Sequence, residues 1–452
     1  MTPAENLPYN PFAPVDLGVA RHEMLFGNAY PEAFGDWRDE VMSWKTGAYL
    51  TAALNPTLTF RLSGPDALRL LSDHSVNGLT RFPVDAARHL IMCNPAGQIV
   101  AHGICVREGE ESFLTYWLMP WVSYLAESGR YRVTGENLTG RVFLFQVAGP
   151  RSLAVLQAAT GEDLRDIRFL RRRATRIAGC AVHVLRVGMA GSLAYEVHGP
   201  AEAAHAVYRT LLAAGSPLGL RQLGRTQYRM NHTENGFPQG HVHFLYPWFE
   251  DADFARYLTA RSGGTPFKTD LRGSAGPDPS LRYRTPVEVG WGHVIRLDHD
   301  FMGRQALEAE LAAPRRLIAT LTWNPEDVLD IYRSYLTEGT PHPFMDFRID
   351  MPPLAQPAPH VSDLVLKDGN VVGISSGRVY SYRYRKMISL ASLDAGLAVQ
   401  GTEVVVLWGD PGTRQREIRA VVDRYPLFDE GRNEDVDVSG PEFAPSAGAA
   451  PG

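Results

Sequence analysis

The 452-residue chain predicts an α+β protein. Three observations carry this prediction. A unit of strand, Gly-Pro and helix occurs twice, about 85 residues apart, which points to an internal structural repeat. From Arg316 onward the chain reads as short strands separated by Gly turns, the pattern of a closed or sandwiched β domain. A chain of this length buries enough surface for two or three domains.

Taken in order, Tyr30 to Trp44 is rich in aromatic and charged residues, with Trp37, Arg38 and Trp44 spaced for a helix that packs one face. Leu58 to Gly64 alternates like a strand, and Pro65 opens a helix to Ser72, a position where its missing N–H costs no helical bond. The second copy runs from Val142 to Gly149, then Pro150 and a helix from Arg151 to Ala158. Between the copies, His89 to Cys93 and Ile99 to Val106 read as strands joined by the turn Asn94 to Gly97. Phe113 to Trp117 is a further strand, and Pro120 begins a helix. An apolar strand from Cys180 to Val187 enters a turn at Gly188 and Gly191 and leaves through a strand carrying Tyr195 and Glu196. A helix from Ala201 to Ala214 follows. Ser262 to Thr285 is rich in Gly, Pro and Arg without an apolar period and reads as a surface insertion. The β region offers Leu317 to Thr322, Val361 to Lys367, Asn370 to Ser376, Met387 to Leu393 and Glu403 to Leu407, interrupted by a proline-rich loop over Asp350 to His360. Beyond Asp429 the chain turns acidic and then Gly/Pro/Ala rich, the composition of a disordered tail.

Composition narrows the class. The chain is 44% hydrophobic and 21% charged, with a net charge of -5, so no basic field invites nucleic acid. No apolar run approaches a membrane span, and Met1 to Pro14 lacks the basic and apolar segments of a secretory signal. Cys93, Cys105 and Cys180 are scattered without CxxC spacing and read as reduced thiols, which sets the expectation of a cytoplasmic protein. His241 and His243, with His232 nearby, invite a metal. No carboxylate or thiol stands at metal spacing beside them, so no metal is expected.

The Gly-rich turn before Glu196 leaves two readings open. One is a hairpin with a solvated glutamate. The other is a carboxylate that accepts paired hydrogen bonds from an edge carrying an NH and an adjacent NH2, as a pterin presents.

The motifs together resemble the glycine-cleavage T-protein family of tetrahydrofolate enzymes. Its Ser-Gly-Pro-Asp-Ala stretch stands here as Ser63 to Ala67, its second Gly-Pro as Gly149-Pro150, and its Gly-rich turn with Tyr-Glu as Gly188 to Glu196. Asp298 to Leu307 resembles its Lys-x-Asp-Phe-Ile-Gly-Lys-Glu-Ala-Leu segment, and Gly369 to Gly377 its later strand pair. The resemblance implies a T-protein-like fold with two interleaved α+β subdomains over residues 1–312, a C-terminal β-barrel over 313–428, and the tail over 429–452. It also implies tetrahydrofolate as cofactor, with Glu196 on the pterin edge, Tyr195 beside it, and Arg229 facing the glutamate tail. Arg378 and Arg383 to Arg385 are surface alternatives for that tail.

The chain departs from glycine-cleavage enzymes where their paired acidic residues align with Ala101 and His102, since alanine does no acid-base work. A narrower branch resembles it more: tetrahydrofolate-dependent O-demethylases of methoxyaromatics, through Asn28 to Tyr30, Trp37 to Lys45, Gly219 to Gly224 and Gly236 to Trp248. That resemblance implies a methyl transfer from a small methoxyaromatic to tetrahydrofolate. Tyr246 is the expected proton donor, Tyr30 a second substrate-side tyrosine, Trp248 a cofactor contact through ring stacking, and Trp121 and His243 substrate contacts. Other folate-dependent carbon transfers and a non-catalytic folate binder are the alternatives. Acid-specific members hold a carboxylate with a basic residue after the third strand. Here Glu111 to Ser128 contains no Lys, Arg or His, so the expected substrate is a neutral methoxyaromatic, or one held by a clamp elsewhere.

Overall fold

A computed structural model describes residues 22–25, 28–189, 191–261, 269–350 and 359–445. Two open sheets carry the first part. One has five strands in the order Ala87–Cys93, Ile99–Arg107, Ser112–Tyr116, Thr59–Ser63, Thr134–Asn137. The other has six in the order Arg172–Ile177, Cys180–Leu185, Ala194–Pro200, Val142–Ala148, Ala48–Thr51, Leu220–Gln222.

The internal repeat is real at the level of topology. In each sheet a strand leads through a glycine turn into a helix (Ala67–His74 or Ser152–Thr160), and three antiparallel strands then return to pair beside the first. Both turns require glycine. Gly64 and Gly149 hold φ of 129° and 122°, and a Cβ would fall 2.6 Å from the Arg132 carbonyl oxygen and 2.5 Å from that of Gly47. The sheets exchange their next strand. Thr134–Asn137, which precedes the second unit, pairs with the first unit's Thr59–Ser63, while Ala48–Thr51, which precedes the first, pairs with Val142–Ala148. This exchange is the physical content of the interleaving.

The C-terminal part is a closed barrel of six strands: Pro359–Lys367, Asn370–Ser381, Lys386–Asp394, Arg316–Trp323, Arg416–Asp423 and Glu403–Trp408. Closure comes from Val365 and Leu366 pairing with Val406 and Val405, and the short strand Asp270–Arg272 adds to Pro359–Lys367 outside the closed ring. Leu321, Trp323, Val365, Leu393, Val406 and Ile418 fill it. The barrel is tied to the first part by a buried ion pair, Lys45–Glu234, whose carboxylate also accepts from the Ser381 hydroxyl at 2.5 Å.

Two sequence expectations fail here. The Gly/Pro/Arg-rich segment is not a surface insertion where it is described: Arg282 is 0% and Arg284 4% exposed. Their guanidinium groups donate to carbonyls of Asp278, Arg272, Leu281 and Tyr283, so the segment buries itself through backbone hydrogen bonds rather than an apolar period. Residues 262–268 and 351–358 lie outside the described residues. Nor is the chain after Asp429 a disordered tail through residue 445. Arg186 donates to the Asn433 side chain at 3.1 Å and to the Asn433 and Val436 carbonyls at 2.6 Å, and Val438 joins the core of the six-stranded sheet. A few anchoring contacts order a segment whose composition alone is that of a solvated chain. Among the described residues, no helix is long and apolar enough to cross a membrane.

Candidate functional site

The alternation of a strand decides what faces the space between the sheets. On Ala194–Pro200, Glu196 and His198 share one face with Ala194, and Tyr195 takes the other. Glu196 pairs in register with Gln146, and Gln146 with Thr51, so Tyr49 stands diagonally on the same face. Glu196 Oε2 lies 3.1 Å from His198 Nε2, and His198 Nδ1 lies 2.7 Å from the Tyr116 hydroxyl of the other sheet. A neutral imidazole satisfies both contacts by donating to the carboxylate and accepting from the phenol.

Around Glu196 the side chains form a polar lining. The Tyr49 hydroxyl donates to Gln146 Oε1 and accepts from Asn231 Nδ2 at 3.4 Å. Asn235 donates to the Met189 carbonyl at 3.1 Å and so holds the turn expected to approach a ligand. Burial, and after it the charge of Glu196, raises the pKa of Tyr49. Among the described residues, Gln146 Nε2, the Tyr228 hydroxyl, Asn235 Oδ1 and Ser192 Oγ are buried without a hydrogen-bond partner. Orphaned donors and acceptors beside one carboxylate are what a flat heterocycle with NH and carbonyl edges requires, so the residues present fit a pterin.

A second lining lies along the five-stranded sheet. Tyr246 stacks on Trp248 with ring centroids 5.0 Å apart at 12°, and Trp248 donates its indole N–H to the Val100 carbonyl at 2.7 Å. His241, Phe244 and His102 approach the Tyr246 ring at 5.2, 5.5 and 6.2 Å. His241 holds a left-handed backbone at φ 64°, a conformation uncommon for residues other than glycine. Gly240 leaves room for the phenol, since a Cβ there would fall 2.2 Å from the Tyr246 hydroxyl. Burial raises the pKa of Tyr246, so the expected match between phenol acidity and proton donation is not kept; Tyr246 is a neutral O–H donor. Among the described residues no charged group contributes to that shift, and burial pushes the His241 imidazole down to about 4.

The helix Arg225–Glu234 joins the linings. Its Tyr228 ring meets His232 at 5.0 Å, and Phe237 bridges from His232 at 6.3 Å to His102 at 6.3 Å. Tyr30, 1% exposed, lies 5.5 Å from the guanidinium of Arg225, whose charge also reaches Tyr228. Arg229 is half-buried on the same helix, and its charge opposes protonation of His232.

Four expected contacts are placed elsewhere. Tyr195 faces the apolar core of the six-stranded sheet with Phe145, Val147 and Leu153, one residue out of phase with Glu196. Trp121 is 3% exposed and packs edge-on against Phe254 at 4.7 Å, behind Trp248 rather than beside Tyr246. His243 is committed to structure: Nδ1 accepts from the Gln239 N–H at 3.0 Å, Nε2 meets Thr233 Oγ1 at 3.0 Å, and Thr233 donates to the Gly377 carbonyl at 2.7 Å. Arg378, expected on the surface, is 1% exposed and paired with Asp350 at 2.5 Å.

On Ile99–Arg107, Ala101 points into the core below its sheet while His102 faces the aromatic lining. Sequence reasoning did not assign Tyr49, Tyr116, Gln146, His198, Tyr228, Asn231 or Asn235. For His198 a signal existed, since it lies two residues from Glu196 on one strand and shares its face. The others come from distant strands and the helix, and no local pattern marks them. Among the described residues, no group of three His, Cys, Asp or Glu is arranged to hold a metal.

Residues 19–242 match the family model described as the GCVT N-terminal domain. The chain is 42% identical over 434 residues to a sesamin methylene transferase from Sinomonas sp. (strain No.22), with 93% of this chain and 95% of that protein covered. It is 31% identical over 433 residues to a syringate O-demethylase from Sphingobium sp. (strain NBRC 103272 / SYK-6), covering 90% and 92%. Among solved structures, glycine cleavage system aminomethyltransferase T from Bartonella henselae superposes with a TM-score of 0.67 at 15% identity, covering 92% of this chain and 96% of that one, a likeness of fold.

Proposed function

The chain belongs to the family of the GCVT N-terminal domain and is an enzyme, and from that premise we propose that it moves a one-carbon group from a neutral aryl ether to tetrahydrofolate. The observation that carries the reading is the junction of two unlike linings: a carboxylate with orphaned amide and hydroxyl groups at Glu196, and an uncharged aromatic cage at Tyr246. The first accepts a pterin edge. The second accepts an aromatic ring, and among the described residues no cation acts on Tyr246 to meet a substrate carboxylate there.

Tetrahydrofolate supplies the nucleophilic nitrogen when bound. The protein's part is alignment, exclusion of water and support of the departing oxygen. For a methoxy donor, the methyl–oxygen bond breaks with its electron pair left on oxygen, a carbon–nitrogen bond forms, and the nitrogen's proton ends on the phenol. For a methylenedioxy donor, both carbon–oxygen bonds break, two carbon–nitrogen bonds form, and two protons end on a catechol. The 42% identity to a protein named for methylene transfer favours the methylenedioxy donor, and the 31% identity to an O-demethylase the methoxy donor.

The test is anaerobic incubation with tetrahydrofolate and a panel of methoxybenzenes, methylenedioxybenzenes and methoxybenzoates. Phenol with 5-methyl-tetrahydrofolate, or catechol with the methylene form, is expected from the uncharged members. Turnover of the benzoates alone would contradict the neutral cage. Turnover of an amine or sulfonium donor alone would move the assignment to another carbon transfer. Tight folate binding without product from any donor would leave a folate-binding protein.

A further inference from the structure

We propose that His102, oriented by His89, is a neutral hydrogen-bond donor to the departing aryl oxygen, a role that rests on the aryl-ether reading above. The two histidines come from neighbouring antiparallel strands. His89 is opposite Ile104 and Ile91 opposite His102, so the imidazoles are diagonal neighbours on one face. His89 Nε2 lies 3.2 Å from His102 Nδ1. With that nitrogen engaged, His102 keeps Nε2 for the cage, and among the described residues no protein atom is hydrogen-bonded to it.

The walls around His102 are rings. Trp291 stands 4.8 Å away, Phe244 5.8 Å, Tyr246 6.2 Å and Phe237 6.3 Å, and both imidazoles keep part of their surface accessible. Among the described residues, the titratable groups that act on the pair are His232, His241 and His293 together with each other. No carboxylate is among them. An imidazolium therefore finds no counter-charge among the described residues, and burial holds both rings in the neutral form. When His89 Nε2–H donates to His102 Nδ1, the remaining N–H of His102 sits on Nε2 and points its dipole at the cage. A neutral imidazole placed this way polarises an oxygen on which negative charge develops without giving up its proton.

The step balances without a further reagent. The carbon–oxygen bond breaks with its electron pair on the aryl oxygen. The new carbon–nitrogen bond forms, and the nitrogen's proton is the one that finally neutralises the aryloxide. His102 N–H and Tyr246 O–H share the oxygen's charge in the interval. Two donors about one ring also suit a methylenedioxy substrate, in which two oxygens depart. His102 is then a catalytic residue and His89 a positioning residue that fixes its tautomer.

The experiment is a leaving-group series: methoxybenzenes whose phenols range from weakly acidic to nitro-substituted, turned over with tetrahydrofolate by wild type, His102→Gln and His89→Gln. Loss of one preorganised donor is expected to slow weakly acidic phenols by about 10²-fold and nitrophenols little, so that the dependence on phenol acidity steepens. His89→Gln is expected to steepen it less. His102→Asn serves as a second variant if thermal unfolding shows that His102→Gln is misfolded. In parallel, absorbance titration with 4-nitrophenol reads binding of the product-like ion without turnover, and His102→Gln is expected to weaken it about tenfold. Equal slowing across the series, or unchanged 4-nitrophenol affinity, would overturn the role of His102 while leaving the aryl-ether reading intact. Absence of phenol or catechol from every methoxybenzene and methylenedioxybenzene with wild type would overturn both.

Discussion

Glu196 and His198 stand on one face of one strand and meet at 3.1 Å, and the far nitrogen of His198 meets Tyr116 of the opposite sheet at 2.7 Å. The carboxylate is thus held from behind by a chain that spans both sheets. Replacing Glu196 by Ala is expected to weaken tetrahydrofolate binding about 10- to 100-fold, the worth of charge-assisted hydrogen bonds of ~1.5–3 kcal/mol. His198→Ala should weaken it less, because the carboxylate remains and only its orientation is lost. Calorimetric titration with tetrahydrofolate checks both; undiminished affinity of Glu196→Ala would sink the pterin assignment.

Tyr246 is expected to act on the carbon donor and not on the folate. Tyr246→Phe removes the hydroxyl and keeps the ring stacked on Trp248, so single-turnover rates should fall about 10- to 100-fold with folate affinity unchanged. An equal loss of folate affinity would show that the hydroxyl belongs to the other lining.

His243 is expected to matter for stability. Its ring links Gln239 and Thr233, and through Thr233 reaches Gly377 in the barrel. His243→Ala should cost about 1–3 kcal/mol by leaving buried partners unsatisfied. Denaturant unfolding reads this, with the KM for the ether unchanged.

Stability should fall as pH drops from about 6.5 to about 4. Burial lowers the pKa of His74 and His232 from 6.5 to about 4, so in that window the unfolded chain binds more protons than the folded one. The slope of unfolding free energy against pH is then positive, and the contribution is complete above the ordinary histidine pKa. Urea midpoints between pH 4 and 7.5 test this, and His232→Gln should flatten part of the slope.

Deleting residues 429–452 should destabilise the protein although that stretch has the composition of a solvated tail. The deletion leaves Arg186, 4% exposed, without the Asn433 and Val436 acceptors, and uncovers the core beside Val438. A lower melting temperature is expected; an unchanged one would mean that these contacts contribute nothing.

Several features were legible in the sequence because they are local. Gly64 and Gly149 mark turns that only glycine fits, and the strand–Gly-Pro–helix unit they belong to recurs as the same sheet topology. The Gly turns of the last part correspond to a closed barrel. Glu196 was legible as a carboxylate just past a Gly-rich turn. What alternation does at each position was less legible. Tyr195 and Ala101 were singled out beside Glu196 and His102, yet each faces a core, because a strand sends neighbours to opposite sides and only the partner sheet says which side is the site.

The sequence by itself determined the kind of units, the turns that join them and the residue types able to meet a pterin and an aromatic ring. Only the tertiary structure decided which of these meet. Tyr49, Gln146, Tyr116 and His198 come from four strands, and the His89–His102 pair depends on the register of two more. Such contacts arise from packing two sheets face to face across long stretches of chain, and no short-range pattern encodes them. The same reason explains Trp121 and His243. Their residue types suit a substrate site, but the space around them was already taken by Phe254 and by Thr233.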